Sequence, residues 1–216
     1  MKVTCEPITI RLPGAQGLRS KGIHQSRIIK LMAKEAGVLR TDDPVEDWSL
    51  IEPGDLSSIS DPEVLLRISL GLAWEEWYIR TQMPHCIDHP DEFEFEGIYM
   101  SMDAEEMAIV IHNKIKQLRH VIHEVKLTYK SVRTVGMLNT VEELKKNWLW
   151  LAQLKNYCKG QGTRFACLHV MFVCGNYKPA FKPQLRKFCI EFEQQEIEEH
   201  WELTKDYVLE KLEVIR

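Results

Sequence analysis

Val121-Ile-His-Glu-Val-Lys-Leu-Thr-Tyr-Lys-Ser-Val132 alternates polar and apolar side chains, and this period of two predicts a β-strand. Residues i and i+2 share a strand face. Glu124 and Lys126 therefore point one way, while Val125, Leu127 and Tyr129 point the other, toward a core. A lone acid-x-Lys is common by chance and is usually a solvated strand face, so its meaning depends on what surrounds it.

Upstream, residues 93–102 and 107–112 also read as strands, with Asp103 ending the stretch Gly97-Ile-Tyr-Met-Ser-Met-Asp103. Downstream, Thr140-x-x-Glu143 is a capping box that opens a helix ended by Gly160. The apolar run 165–174 suits a strand buried on both faces, and Pro183 is read as opening a last long helix. Nearer the N-terminus, Ser26 starts a short helix that Gly37 ends, and residues 41–60 form a loop. Asp61-Pro62-Glu63 starts a helix to about Gln82, before Pro84. Its Val64, Leu65, Ile68, Leu72, Trp74 and Trp77 predict a largely buried element, on which Glu75 and Glu76 are unexpected. The order helix, helix, strands, helix, strand, helix predicts an α/β or α+β domain, a mixed central sheet with helices layered around it. The expected organisation is one domain over residues 1–216, with a core at about 61–175, an N-terminal helical extension and a long C-terminal helix.

Composition narrows the classes. With 44% hydrophobic and 28% charged residues the chain is neither disordered nor low-complexity. No apolar run of membrane-spanning length occurs, and the first residues lack a secretory layout. Cys5, Cys86, Cys158, Cys167, Cys174 and Cys189 include no C-x-x-C pair, which fits free thiols in a reducing cytoplasm. The net charge of -4 hides a division: residues 113–187 carry fifteen Lys and Arg against three acids, a segment of +12 between acidic flanks. Such a segment can neutralise phosphates, or it can solubilise helix faces.

These pieces together resemble the PD-(D/E)XK nuclease superfamily. There an acid ending one strand and an acid-x-Lys on the next bind metal ions, as Asp103 and Glu124-Val125-Lys126 would. The resemblance extends to RecB-type domains and phage recombination exonucleases, which carry Q-x-x-x-Y on the following helix. Gln153-Leu-Lys-Asn-Tyr157 stands there, with both side chains on one helix face. An earlier helix in that family presents a glutamate in G-x-x-x-E, matched by Gly71-Leu-Ala-Trp-Glu75, with Glu76 the alternative. The resemblance implies a restriction-endonuclease-like fold and hydrolysis of DNA phosphodiester bonds with Mg²⁺ or Mn²⁺. Glu75, Asp103, Glu124 and the Val125 carbonyl would be metal ligands. Lys126 would position or activate water and stabilise the transition state, and Gln153 and Tyr157 would orient substrate or lysine. Lys130, Ser131 and Arg133, just past the strand, would contact phosphate. The expected activity is exonucleolytic, in recombination or repair in a bacterial or phage-infected cytoplasm. DNA is the partner, a recombination protein a further one, and an oligomer is left open.

Three departures stand against the family pattern. The interval between Asp103 and Glu124 is long enough for an extra strand, which keeps Glu105 and Glu106 as alternatives to Asp103. The upstream histidine that many RecB-type sites use is missing between His24 and His85, unless His85 or His89 reaches the site. The cysteines lack the tight spacing of an iron–sulfur site, so no cluster is expected. His85-Cys86-x-x-His89 is read as a loop rather than half a zinc site, and His112, His120 and His123 as strand histidines. The rival readings are an endonuclease of restriction or junction-resolving type, and a non-catalytic DNA-binding protein on the same fold.

Overall fold

A computed structural model describes residues 22–38, 62–112, 114–129, 144–145, 147–173 and 184–212. The capping box at Thr140, the phosphate contacts expected of Lys130, Ser131 and Arg133, and Cys5 and Cys174 lie outside the described residues.

Two sheets carry the chain. The larger has five strands in the order β2 (Ile87–Asp88), β5 (Ala104–His112), β6 (Ile115–Thr128), β7 (Phe165–Phe172) and β8 (Gln184–Glu191). Within this sheet β6 and β7 pair parallel and the remaining pairs are antiparallel. The parallel pair needs a crossover, and helix α3 (Trp148–Gly160) lies on it. The smaller sheet joins β1 (Ile23–His24), β4 (Ile98–Met100) and β3 (Phe93–Phe95). The expected strand over residues 93–102 is thus a hairpin, turned at Glu96 and Gly97, both at positive φ.

Helices cover both faces of the large sheet. On one face, α1 (Gln25–Glu35), α3 and α4 (Gln194–Tyr207) enclose Ile122, Leu168, Val170 and Phe172. Trp201 of α4 is fully buried there, and its indole N–H donates to Glu96 Oε2 at 2.9 Å. Truncating such a side chain to Ala costs about 3–5 kcal/mol. Gly160 lets Phe93 come close: a Cβ there would sit 2.6 Å from the Phe93 ring. On the other face, α2 (Pro62–Gln82) packs Tyr78, Ile79 and its successor Met83 against Ala104 and Val125. The expected mixed sheet between helices is observed, and β7 is covered on both faces as its apolar run predicts.

Several local expectations change. Residues 184–191 are strand β8, not the start of the last helix. Its Arg186, Phe188 and Ile190 alternate with exposed neighbours, a period of two hidden behind the Pro183 signal. Helix α2 is only partly buried, with Leu66 and Trp77 57% and 51% exposed, because a single face meets the sheet. Trp150 of α3 is partly buried and packs against the main core.

Candidate active site

Strands β5 and β6 form one long hairpin, from Ala104 opposite His123 to His112 opposite Ile115. Its two arms account for the long interval after Asp103, and no further strand intervenes. One step beyond the Ala104–His123 pair, Asp103 faces Glu124. Its Oδ2 accepts a hydrogen bond from the Val125 amide at 2.6 Å. The side chain takes over as a partner for β6 where the β5 ladder ends. Glu105 and Glu106 go elsewhere, to His120 at 2.8 Å and to His123 at 3.1 Å.

Glu124 is completely buried, and the Lys126 ammonium lies against it as the shared strand face requires. Apart from that ammonium, neither Glu124 oxygen has a hydrogen-bond partner. Burial raises the Glu124 pKa, against the pull of Lys126. Asp103 is raised well above the ordinary range by burial, then by the charges of Glu124 and Glu75. Burial works to lower the Lys126 pKa, but Glu124, Asp103 and Glu75 outweigh it and hold the group above its usual value.

Helix α2 adds Glu75. Of the two glutamates offered by the sequence, Glu75 turns toward this cluster and Glu76 forms an ion pair with Arg80 at 2.9 Å, one turn along the helix. His89 reaches the same place. Its Nε2 lies 2.9 Å from Glu75 Oε1, its backbone amide donates to the Asp103 carbonyl at 3.0 Å, and Asp88 contacts its Nδ1. The hydrogen bond to Glu75 raises the His89 pKa against the effect of burial. A left-handed φ of 44° at His89 aims the ring inward. His85 instead meets Glu106 at 3.1 Å.

Gln153 and Tyr157 lie one turn apart on α3 and meet each other. The Gln153 amide donates to the Tyr157 hydroxyl at 2.8 Å, and that hydroxyl donates to the Ser101 carbonyl. Buried Gln25, from α1, donates to the Gln153 carbonyl at 2.7 Å. The pair therefore holds the segment that leads into Asp103. Gln25 and Ser101 escaped sequence reasoning, because their roles run through backbone carbonyls that no motif encodes.

Three residues of the basic segment pair with the acidic C-terminal flank: Lys155 with Glu196 at 2.6 Å, Lys159 with Glu198, and Arg164 with Glu191 at 2.7 Å. These are ion pairs of helix and strand surfaces.

The donor set suits a hard divalent ion. Carboxylate oxygens are what such ions take, Glu124 has oxygens that lack hydrogen bonds, and three acids face one lysine and one histidine. Among the described residues, the donor groups already converging within 4.8 Å are His123–Cys167–His169 and His85–Cys86–Glu106, so the acids stand further apart than these. Mg²⁺ commonly keeps several waters and uses only one or two carboxylates.

No family model and no curated protein sequence matches the chain. Solved structures do. A phage related exonuclease from Haemophilus somnus 129PT is similar over 90% of this chain and 96% of its own, at 13% identity and a TM-score of 0.48. The alkaline exonuclease LHK-Exo from Laribacter hongkongensis, in complex with dAMP, is similar over 88% and 87%, at 13% identity and a TM-score of 0.47. Each is a similarity of chain path, at an identity too low to transfer the role of any residue.

Proposed function

We propose that this protein is a Mg²⁺- or Mn²⁺-dependent deoxyribonuclease, and that it acts as an exonuclease in recombination or repair. One observation carries the reading. Glu124 and Lys126 share a buried strand face, with Asp103 fastened across from them on the Val125 amide and Glu75 closing in from α2.

Glu75, Asp103, Glu124 and the Val125 carbonyl would hold the ion. When bound, it would lower the pKa of a coordinated water and offset charge on the phosphate. Lys126 would orient or activate water and offset the negative charge that builds on the phosphate oxygens. His89 holds Glu75 from behind. Gln153 and Tyr157 fix the Ser101 carbonyl, and with it the approach to Asp103. Removing one preorganised charge of this kind costs roughly 10²–10³ in rate.

The test is hydrolysis of linear and closed-circular DNA with Mg²⁺, by wild type and Lys126→Ala. Loss of linear DNA alone, abolished in the variant, is the expected result. Nicking of circles would instead mark an endonuclease. Equal behaviour of variant and wild type would sink the catalytic reading.

A further inference from the structure

The face of the sheet opposite Glu124 carries a second cluster of a different chemistry. His123 on β6 lies beside Cys167 on β7, and Cys167 lies beside Cys189 on β8, in one row across three strands. His169, two residues along β7, shares that face. His123, Cys167 and His169 are 1%, 5% and 1% exposed. One donor atom from each converges within 4.8 Å of the others. His123 Nδ1 lies 3.0 Å from His169 Nε2, and Cys167 Sγ lies 3.3 Å from Cys189 Sγ.

We infer that His123, Cys167 and His169 form a binding site for a borderline-soft divalent metal, with Zn²⁺ the natural occupant, and that the Cys189 thiol completes it. A tetrahedral shell with Zn–N of ~2.0–2.1 Å and Zn–S of ~2.3 Å has edges of roughly 3.3 Å between nitrogens and 3.8 Å between sulfurs. The observed 3.0 Å and 3.3 Å fall within about half an ångström of those two edges. His123, Cys167 and His169 are already gathered within 4.8 Å, while Cys189 stands outside that group and its thiol must swing in from the exposed edge of β8.

The outer partners fit as well. The far nitrogen of each imidazole is already engaged: His123 Nε2 with Glu106 at 3.1 Å, and His169 Nδ1 with the Tyr78 hydroxyl at 3.0 Å. Ligating histidines usually hand their second N–H to a carboxylate or oxygen in this way. Without metal, the row is satisfied as a chain. Tyr78 donates to His169, His169 to His123, and His123 to Glu106. Binding moves the His169 proton to Nδ1, where the Tyr78 oxygen accepts it, and frees Nε2 for the ion. Cys167 and Cys189 each lose a proton to solvent, so two thiolates balance the dication. The contact with Cys189 and burial push the Cys167 thiol up, Lys187 acts against them, and the ion must displace that proton.

The consequence is structural. The metal would staple β6, β7 and β8 one residue away from Glu124, and would do so with soft ligands that Mg²⁺ disfavours. This inference stands whether or not the protein is a nuclease.

The experiment uses the full chain. Metal analysis after purification and Zn²⁺ loading should give one zinc per chain, kept through dialysis and released by a strong chelator. Co²⁺ in its place should give intense tetrahedral ligand-field bands and a thiolate charge-transfer band. Bound Zn²⁺ should slow alkylation of exposed Cys189 at least tenfold while leaving the thiol of Cys86 reactive, a readout that needs no variant. Cys189→Ser should weaken zinc binding at least tenfold, and Cys167→Ser should abolish it. Absence of stoichiometric zinc, unchanged alkylation of Cys189, a Cys167–Cys189 disulfide in the reduced preparation, or zinc lost on Cys86→Ser but kept by Cys167→Ser would each overturn the inference.

Discussion

The Tyr157 hydroxyl donates a hydrogen bond to the Ser101 carbonyl, two residues before Asp103. Tyr157 is 2% exposed, and Gln153 donates to the same hydroxyl at 2.8 Å, which leaves its proton free for Ser101. In Tyr157→Phe the Ser101 carbonyl loses its donor, at a cost of about 1–3 kcal/mol if it stays buried. Asp103 then loses its fixed approach. The expected result is a Mg²⁺ activation midpoint raised several-fold, with most of the maximal rate recovered at saturating metal. A rate loss that no amount of metal restores would show that Tyr157 acts on the substrate itself.

Glu75 and Glu76 adjoin in sequence and differ in surroundings. Glu75 meets His89 at 2.9 Å and adds its charge to that at Asp103, whereas Glu76 is tied to Arg80 one turn along the helix. Glu75→Gln is expected to cut DNA hydrolysis on the order of 10²-fold. Glu76→Gln should stay within about twofold, since an ion pair one turn apart on a helix contributes only about 0.3–0.5 kcal/mol and Glu76 points away from Asp103. Steady-state rates for the two variants decide it, and a larger loss at Glu76 would reverse the assignment.

The shared face of Glu124 and Lys126 was legible in the sequence, because a strand's period of two is local. So were the extent of α2 and the apolar run of β7. What escaped depends on contacts between distant segments. The interval after Asp103 has no meaning until Ala104 finds His123, and the choice between Glu75 and Glu76 depends on which side of α2 meets the sheet. His89 belongs to the site through a turn of positive φ, which a sequence pattern does not mark for a histidine. The His123–Cys167–His169 cluster assembles only when the parallel register of β6 and β7 is known, and Cys189 joins it through the antiparallel register of β7 and β8. Strand β8 was lost for a simpler reason: Pro183 reads as a helix start wherever polar residues follow it.

His200 sets a limit on the acid side. It is 6% exposed, its Nε2 has no partner, and burial, with Lys155 adding, pushes its pKa down to about 4. The unfolded imidazole titrates near ~6.5. Between those values the unfolded chain takes up a proton that the folded chain refuses. The stability contribution is therefore complete above pH ~6.5 and is lost as pH falls toward 4, by about 3 kcal/mol for a gap of this size. Denaturant unfolding between pH 7 and 4 should show a drop that is smaller by about that amount in His200→Leu, whatever the variant's stability at pH 7. An unchanged drop would mean that the ring is already charged in the fold.

Asp103 works in the opposite direction. Burial and the charges of Glu124 and Glu75 hold its folded pKa above the unfolded value. The folded chain therefore keeps a proton that the unfolded chain has released, so this group favours folding at low pH. That contribution is lost as pH rises through the folded pKa. Asp103→Asn keeps an oxygen that can accept from the Val125 amide and removes the charge. The metal-free variant should be more stable than wild type near neutral pH, by on the order of 1 kcal/mol, while losing nuclease activity. Mg²⁺ should raise the melting temperature of wild type, because an ion that binds only the folded state stabilises it by mass action. It should raise that of Asp103→Asn much less. Thermal unfolding of both proteins with and without Mg²⁺ measures all of this at once. A variant that is less stable than wild type without metal, or that responds to Mg²⁺ as strongly, would show that Asp103 serves the fold rather than an ion.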